Sequence, residues 1–365
     1  MRTARTGGGR RHRVVLLAAA AVALVLLVPF LLGRLAPDDP LGVAGAPRFG
    51  ESRLTWAQGS TIHYGEQRLD VGPRVVRTMV RTPYGFFVDL ARSRGPYAEA
   101  TMAFFDGSRT AEVPGDVSSV SVSPDGRYAG WVDRDGPWRP AGRIAEIVVV
   151  DLESGAAVVR DHDHMGGGFG DDLTARYSEL EPTFLGFDAD GLAYWLDAEG
   201  HGTRWRVDPA TGEKELVEPD PERRKVQPEL GEPYNPSLGP WTWLDHGAVT
   251  DDQFSGDRGF LSPDRRFAFG GSRPGRIQVT AADTGRPVRL DHGHRFSYFA
   301  GWLGEDSFAA LVTDDVDPVY ELDARDTSVG VLMECRLPTG RCTTIRQVDG
   351  LRSLVLGTGE LTFDF

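Results

Sequence analysis

Two kinds of tight turn alternate along this chain from residue 65 to residue 360, and that alternation constrains the fold more than any other feature of the sequence. The clearest copy of the unit they delimit is residues 117–155, VSSVSVSPDGRYAGWVDRDGPWRPAGRIAEIVVVDLESG. Val120 and Val122 alternate with Ser119, Ser121 and Ser123, the period-2 pattern of a strand with one buried face. Pro124, Asp125 and Gly126 supply turn chemistry, and 127–132 reads as the returning strand. The β-branched run 144–151 is a third, well-buried strand, and Gly155 closes a hairpin to a fourth over 156–160.

The same four-strand unit recurs in weaker form. Turns between third and fourth strands are expected at Gly65, Gly107, Gly155, Gly212, Gly285 and Gly340. Turns between first and second strands are expected at 82–85 (TPYG), 123–126 (SPDG), 188–191 (DADG), 262–265 (SPDR), 304–306 (GED) and 357–360 (GTGE). The two series interleave strictly, which predicts a six-bladed β-propeller. A β-sandwich, or a seven-bladed ring with one concealed copy, is the alternative. Residues 53–71 offer three strands with no inner strand before them, and 351–356 offer one with no outer strands after it. A blade shared between the chain ends follows, and it would close the ring and leave no open sheet edge.

Ahead of the repeats the composition changes. Residues 1–13 carry five Arg and no acid, and residues 14–32 are nineteen residues without a charge. At about 1.5 Å per residue such a helix spans roughly 28 Å, the thickness of a hydrocarbon core. The basic flank is the cytoplasmic one. The expected organisation is a cytoplasmic tail (1–13), a transmembrane signal anchor (14–33), an extended Pro-containing linker (34–52) and an extracytoplasmic propeller (53–365). A cleaved signal peptide is the rival reading, disfavoured because Ala36 and Ala46 are each followed by proline.

The net charge is −13, and the six Arg of residues 1–34 leave the exported part near −19. Such a domain is a poor partner for nucleic acid or anionic lipid. Cys335 and Cys342 flank the turn at Pro338, Thr339 and Gly340, facing each other across a hairpin, and in an exported domain a disulfide is the first expectation ahead of free thiols or a metal site.

Long excursions at 133–142, 161–179, 217–244 and 314–327 all leave from the end of a second or fourth strand, so they converge on one mouth of the ring. Loops on a rigid scaffold commonly carry function. Asp161, His162, Asp163, His164, Asp171 and Asp172 surround MGGGFG and are metal-ligand types, although their spacing fits no recognised site and a solvated loop is the plainer reading. Residues 219–240 hold six prolines, and with Tyr234, Trp241 and Trp243 they form a candidate partner-binding loop; packing across the propeller itself is the plainer reading. Asp314, Asp315, Asp317, Asp323 and Tyr320 form a further acidic insert of types that suit a cation or basic peptide; a solvated insert is the plainer reading. No GxSxG, HExxH or GK[ST] motif occurs, and no cofactor, catalytic residue or metal ligand is assigned.

SVSVSPDGRYAGWV with IVVVDLESG, and FLSPDRRFAFGG with IQVTAADTG, resemble the blades of TolB-like propellers, which pair an SPDG turn with a later D-x-[ST]-G hairpin. The resemblance implies a six-bladed extracytoplasmic protein that binds proteins or peptides at its channel mouth. The expected function is a membrane-anchored, non-catalytic protein- or peptide-binding module of the cell envelope. The alternative is an exported hydrolase or lyase acting on a sugar or small metabolite through carboxylates at the mouth.

Overall fold

The structure is a computed structural model describing residues 39–43, 48–50, 54–93, 99–115, 117, 120–123, 125–136, 138–139, 142–163, 165, 182–187, 190–196, 204–217, 241–245, 248–250, 257–270, 275–314, 328–351 and 354–356. Among them every regular element is a strand, and the strands form six antiparallel blades plus a two-stranded hairpin, Trp138–Arg139 with Gly142–Arg143.

Blade 1 joins the two ends of the repeat region. Its inner strand is Leu354–Leu356, followed outward by Thr55–Gln58, Thr61–Tyr64 and Gln67–Asp70. Trp56 faces Leu356 and Gln58 faces Leu354 across this closing ladder, as expected from the unmatched strands at either end. Blades 2 (Val75–Thr82 to Thr110–Glu112), 3 (Ser121–Val122 to Ala157–Asp161), 4 (Thr183–Phe187 to Lys214–Val217) and 6 (Phe296–Trp302 to Arg341–Asp349) are four-strand meanders.

Blade 5 departs from the pattern. Its four repeat strands, Asp257–Leu261 to Pro287–Val288, are extended by a hairpin of Trp241–Asp245 and Ala248–Thr250. This hairpin pairs with Asp257–Leu261, the strand that ends the sheet at its inner edge in every other blade.

Five of the six pairs of neighbouring blades share an apolar core among the described residues, and strand alternation explains how. In Gly85–Ala91, Phe86, Val88 and Leu90 join a core shared with blade 1, while Phe87 joins one shared with blade 3. In Glu146–Asp151, Val148 and Val150 face blade 2, and Ile147 and Val149 face blade 4. A strand buried on both faces reads as a continuous apolar run, which is why residues 147–150 show no polar alternation. Blades 5 and 6 share Phe269, Phe299 and Phe308, and blades 6 and 1 share Leu311, Leu332, Trp56 and Leu356. The last of these seams closes the ring.

The six expected third-to-fourth turns hold. Gly65, Gly107, Gly155, Gly212, Gly285 and Gly340 all have positive φ, between 58° and 94°. The disulfide joins Cys335 and Cys342, which are register partners in blade 6.

The linker expectation needs correction. Residues 39–43 and 48–50 are a strap packed across blades 3, 2 and 1, with Leu41 and Val43 buried in the core between blades 2 and 3. Among the described residues no helix is long and apolar enough to cross a membrane, and the expected span 14–33 lies outside them.

Candidate functional site at the insertion-bearing mouth

Antiparallel pairing places the first-to-second and third-to-fourth turns on one face and every other connection on the opposite face. Chain leaves that opposite face at Asp133, Asp161, Val217 and Thr313; it re-enters the blades there at Glu146, Thr183 and Val329, whereas the third excursion ends at Trp241, which pairs with Phe260 near the turn-face end of blade 5's inner strand. All four expected excursions therefore emerge from one mouth, although most of their residues lie outside those described.

The motif residues that signal the fold are consumed in holding the turns on the other face. Ser123 Oγ donates to Asp125 Oδ1 at 2.6 Å and accepts from Tyr128 N at 2.8 Å, while Asp125 Oδ1 also accepts from Arg127 N at 3.0 Å. Blade 5 repeats this with Ser262 to Asp264 Oδ1 at 2.6 Å, Phe267 N to Ser262 Oγ at 3.0 Å and Arg266 N to Asp264 Oδ1 at 3.0 Å. Arg127 then ties the SPDG turn to the DLESG hairpin through Asp151 at 2.8 Å. These side chains satisfy backbone and one another, which is a structural task.

Blades 3 and 5 therefore carry the paired turns with their hydrogen bonds complete. The fold is a six-bladed β-propeller. No protein-family model matches the chain. No curated protein matches it. Among solved structures, a putative TolB from Agrobacterium tumefaciens is 13% identical, with 82% of this chain and 91% of that chain covered at a TM-score of 0.34. TolB from Acinetobacter baumannii is 13% identical, with 77% and 65% covered at 0.28. A puromycin-hydrolyzing peptidase from Mycobacterium tuberculosis is 13% identical, with 82% and 44% covered at 0.32. The assignment of this chain's fold stands on its own sheet order and blade seams.

At the mouth, the acidic cluster expected at 161–172 is anchored at its first residue. Asp161 is 2.5 Å from Lys214 Nζ, which also lies 3.7 Å from Asp163 and 4.5 Å above the Trp205 ring. With its side chain 12% exposed, Asp161 is thus an ion-paired strand end and not a solvated loop residue. His164, Asp171 and Asp172 lie outside the described residues, and among those described no group of three His, Cys, Asp or Glu is placed to hold a metal.

Sequence reasoning missed a second carboxylate pair. Asp133 and Glu146 are direct register partners at the ends of blade 3's second and third strands, both buried. Burial pushes the Asp133 carboxyl above the usual range, Glu146 adds to this, and the Asp135 N–H at 2.8 Å partly offsets it. Glu146 accepts from Arg160 at 2.8 Å. The two acids lie thirteen positions apart in sequence, so only the ladder register could have paired them.

The second acidic insert begins with a satisfied residue. Asp314 accepts from Arg295 N at 2.8 Å and meets His294 Nδ1 at 2.9 Å, and the Arg295 N–H first, then the histidine, hold its carboxyl below the usual range. Asp315, Asp317, Tyr320 and Asp323 lie outside the described residues, as does Tyr234. Trp241 and Trp243 were expected in a loop. They are strand positions on the inner-edge hairpin of blade 5, in register with Phe260 and Arg258.

A cavity of about 350 Å³ opens on the turn face between the strap and blades 1 and 2, beside Phe49, Tyr64, Leu69, Asp106 and Ser108. Burial alone would raise Asp106, but donation from Arg109 N, Ser108 N, Ser108 Oγ and the Arg109 side chain brings it below the usual range. Its oxygens are occupied by the turn.

Proposed function

We propose that the protein is a non-catalytic propeller, tethered to the cell membrane by residues 14–33 with its N-terminus cytoplasmic, that binds a protein or peptide of the cell envelope at the mouth carrying the insertions. The observation that carries this reading is the inner-edge hairpin of blade 5. It is the one described addition to the repeat within a blade sheet, it follows the proline-rich segment 219–240, and it lies where a propeller's channel runs. Channel-lining strands with aromatic residues suit an extended peptide, which gains main-chain hydrogen bonds at an edge and selectivity from alternate side chains. The net charge near −19 of the exported part favours a basic or neutral partner.

Crosslinking mass spectrometry of the full chain in its native membrane, compared with W241A/W243A and with residues 219–240 replaced by a short Gly-Ser loop, tests this. A protein neighbour mapped to the mouth and lost in both variants is the expected result. A neighbour retained in both overturns the assignment of the hairpin and its preceding segment.

One observation favours a second reading, an exported hydrolase or lyase: the buried Asp133 beside Glu146 at the same mouth, with a raised carboxyl. The two readings separate on D133N, which would abolish turnover of a sugar or small metabolite while leaving the crosslinked neighbour in place.

A further inference from the structure

We infer that the turn face of blades 1–3 lies against the membrane and that the insertion-bearing mouth points away from it. This rests on the proposed anchor at 14–33 and adds to it the orientation of the propeller. The strap that follows the anchor is fastened to the turn face at Asp39, Gly42, Phe49 and Gly50. Gly155, in the third-to-fourth turn of blade 3, leaves only 2.6 Å between a Cβ built there and the Asp39 carboxyl carbon. Arg109, from the same turn of blade 2, donates to Gly42 O at 2.7 Å. Phe49 N donates at 2.7 Å to Pro83 O, in the first-to-second turn of blade 2. The Phe49 ring lies 5.3 Å from Tyr64 and 4.9 Å from Phe86, and Gly50 O accepts from Tyr64 Oη at 3.1 Å and Arg81 Nη2 at 2.8 Å.

Reach decides the orientation. Only residues 34–38 separate the apolar run from the first fastened residue, and five extended residues span at most about 17 Å. Passing from the turn face to the opposite mouth requires the height of a blade, and the eight-residue strand Val75–Thr82 rises about 26 Å. The anchor therefore reaches the bilayer from the turn face and not from the mouth.

Charge is compatible with that placement. The exported part carries near −19, which an anionic surface repels. On the strap side, however, Arg48 meets Glu153, Arg109 meets Asp106 at 3.0 Å and Arg127 meets Asp151 at 2.8 Å, so these three carboxylates nearest the bilayer are each paired with an arginine.

The test uses the full chain reconstituted in nanodiscs containing an acceptor-labelled lipid, with one added cysteine carrying a donor fluorophore. The native cysteines are held in the disulfide. Ser154→Cys and Glu66→Cys report the turn face of blades 3 and 1, and Asp135→Cys reports the mouth. Energy transfer several-fold greater at 154 and 66 than at 135 is the expected result. Equal transfer at the three sites, as for a propeller lying on its rim, or greater transfer at 135 overturns the orientation while leaving the anchor reading intact. Protein released from the discs by alkaline carbonate overturns the anchor reading, and the orientation with it.

Discussion

The indole of Trp56 and the imidazole of His63 lie face to face, 3.6 Å between ring centroids and 4° between planes. They are register partners in blade 1, and Trp56 belongs to the core that seals blade 6 against blade 1. Burial, then Arg346 and Arg68, lowers the His63 pKa from 6.5 to about 4.

That shift predicts acid sensitivity at the closing seam. The unfolded chain binds a proton at His63 below pH 6.5 and the folded chain only near pH 4, so stability is full above 6.5 and falls as the pH drops toward 4. The loss is at most about 3 kcal/mol. Asp133 and Asp89, whose carboxyls are raised by burial, contribute in the opposite sense, so the comparison must be made against a variant. H63F keeps an aromatic ring opposite Trp56, and its urea midpoint should change less between pH 7.5 and 4.5 than that of the parent.

Arg265 occupies the turn position that Gly126 fills in blade 3, with φ 58° against 71°. A side chain in the left-handed region costs about 1 kcal/mol, so R265G should raise stability by that amount, read as a shift in the urea midpoint at constant slope. The reverse change, G126A, should cost more, because its Cβ would lie 2.4 Å from Pro83 Cδ.

Ser123 and Ser262 are fully buried, and each is the hub of its turn. S123A removes the acceptor of Tyr128 N and the donor to Asp125 together, leaving a buried N–H without its bond. The expected cost is about 1–3 kcal/mol, with a similar figure for S262A, measured by thermal or urea unfolding.

The blades were legible because their signals are local. A turn glycine at each of six third-to-fourth positions and the Ser-Pro-Asp turns are read within four residues, and the structure satisfies them within the same four or five. What was not legible depends on contacts distant in sequence. Leu41 and Val43 sit among Asp and Pro residues typical of a linker, and only the groove between blades 2 and 3 makes them core. The inner-edge hairpin was absorbed into a proline-rich excursion, because an added strand pair is defined by its partner Asp257–Leu261, which lies beyond the next turn. Asp161 read as solvated for the same reason: its Lys214 counter-ion belongs to the following blade.

The disulfide makes a prediction about compartment. In the chain-entropy picture, closing a loop of about eight residues is worth roughly 2.5 kcal/mol, so C335S/C342S should lower stability by up to that amount and leave the ladder of blade 6 intact. Thiol titration of denatured protein should find no free thiol after export and two after synthesis in a reducing compartment.

The strap extends the packed unit to the N-terminal side of the repeats. A chain beginning at residue 39 keeps Leu41, Val43 and Phe49, whereas one beginning at residue 53, the boundary suggested by the repeats, exposes the cores they cover. Leu41 and Val43 are 2% and 1% exposed, and each buried side chain of this size is worth about 1.5–3 kcal/mol. Loss of the strap also leaves Pro83 O without the Phe49 N–H and removes the ring against which Gly107 packs. The longer chain should unfold cooperatively at the midpoint of the parent domain. The shorter one should lose at least about 3 kcal/mol, bind a hydrophobic dye at the seam of blades 2 and 3, and recover neither property when residues 39–52 are replaced by a Gly-Ser tether of equal length.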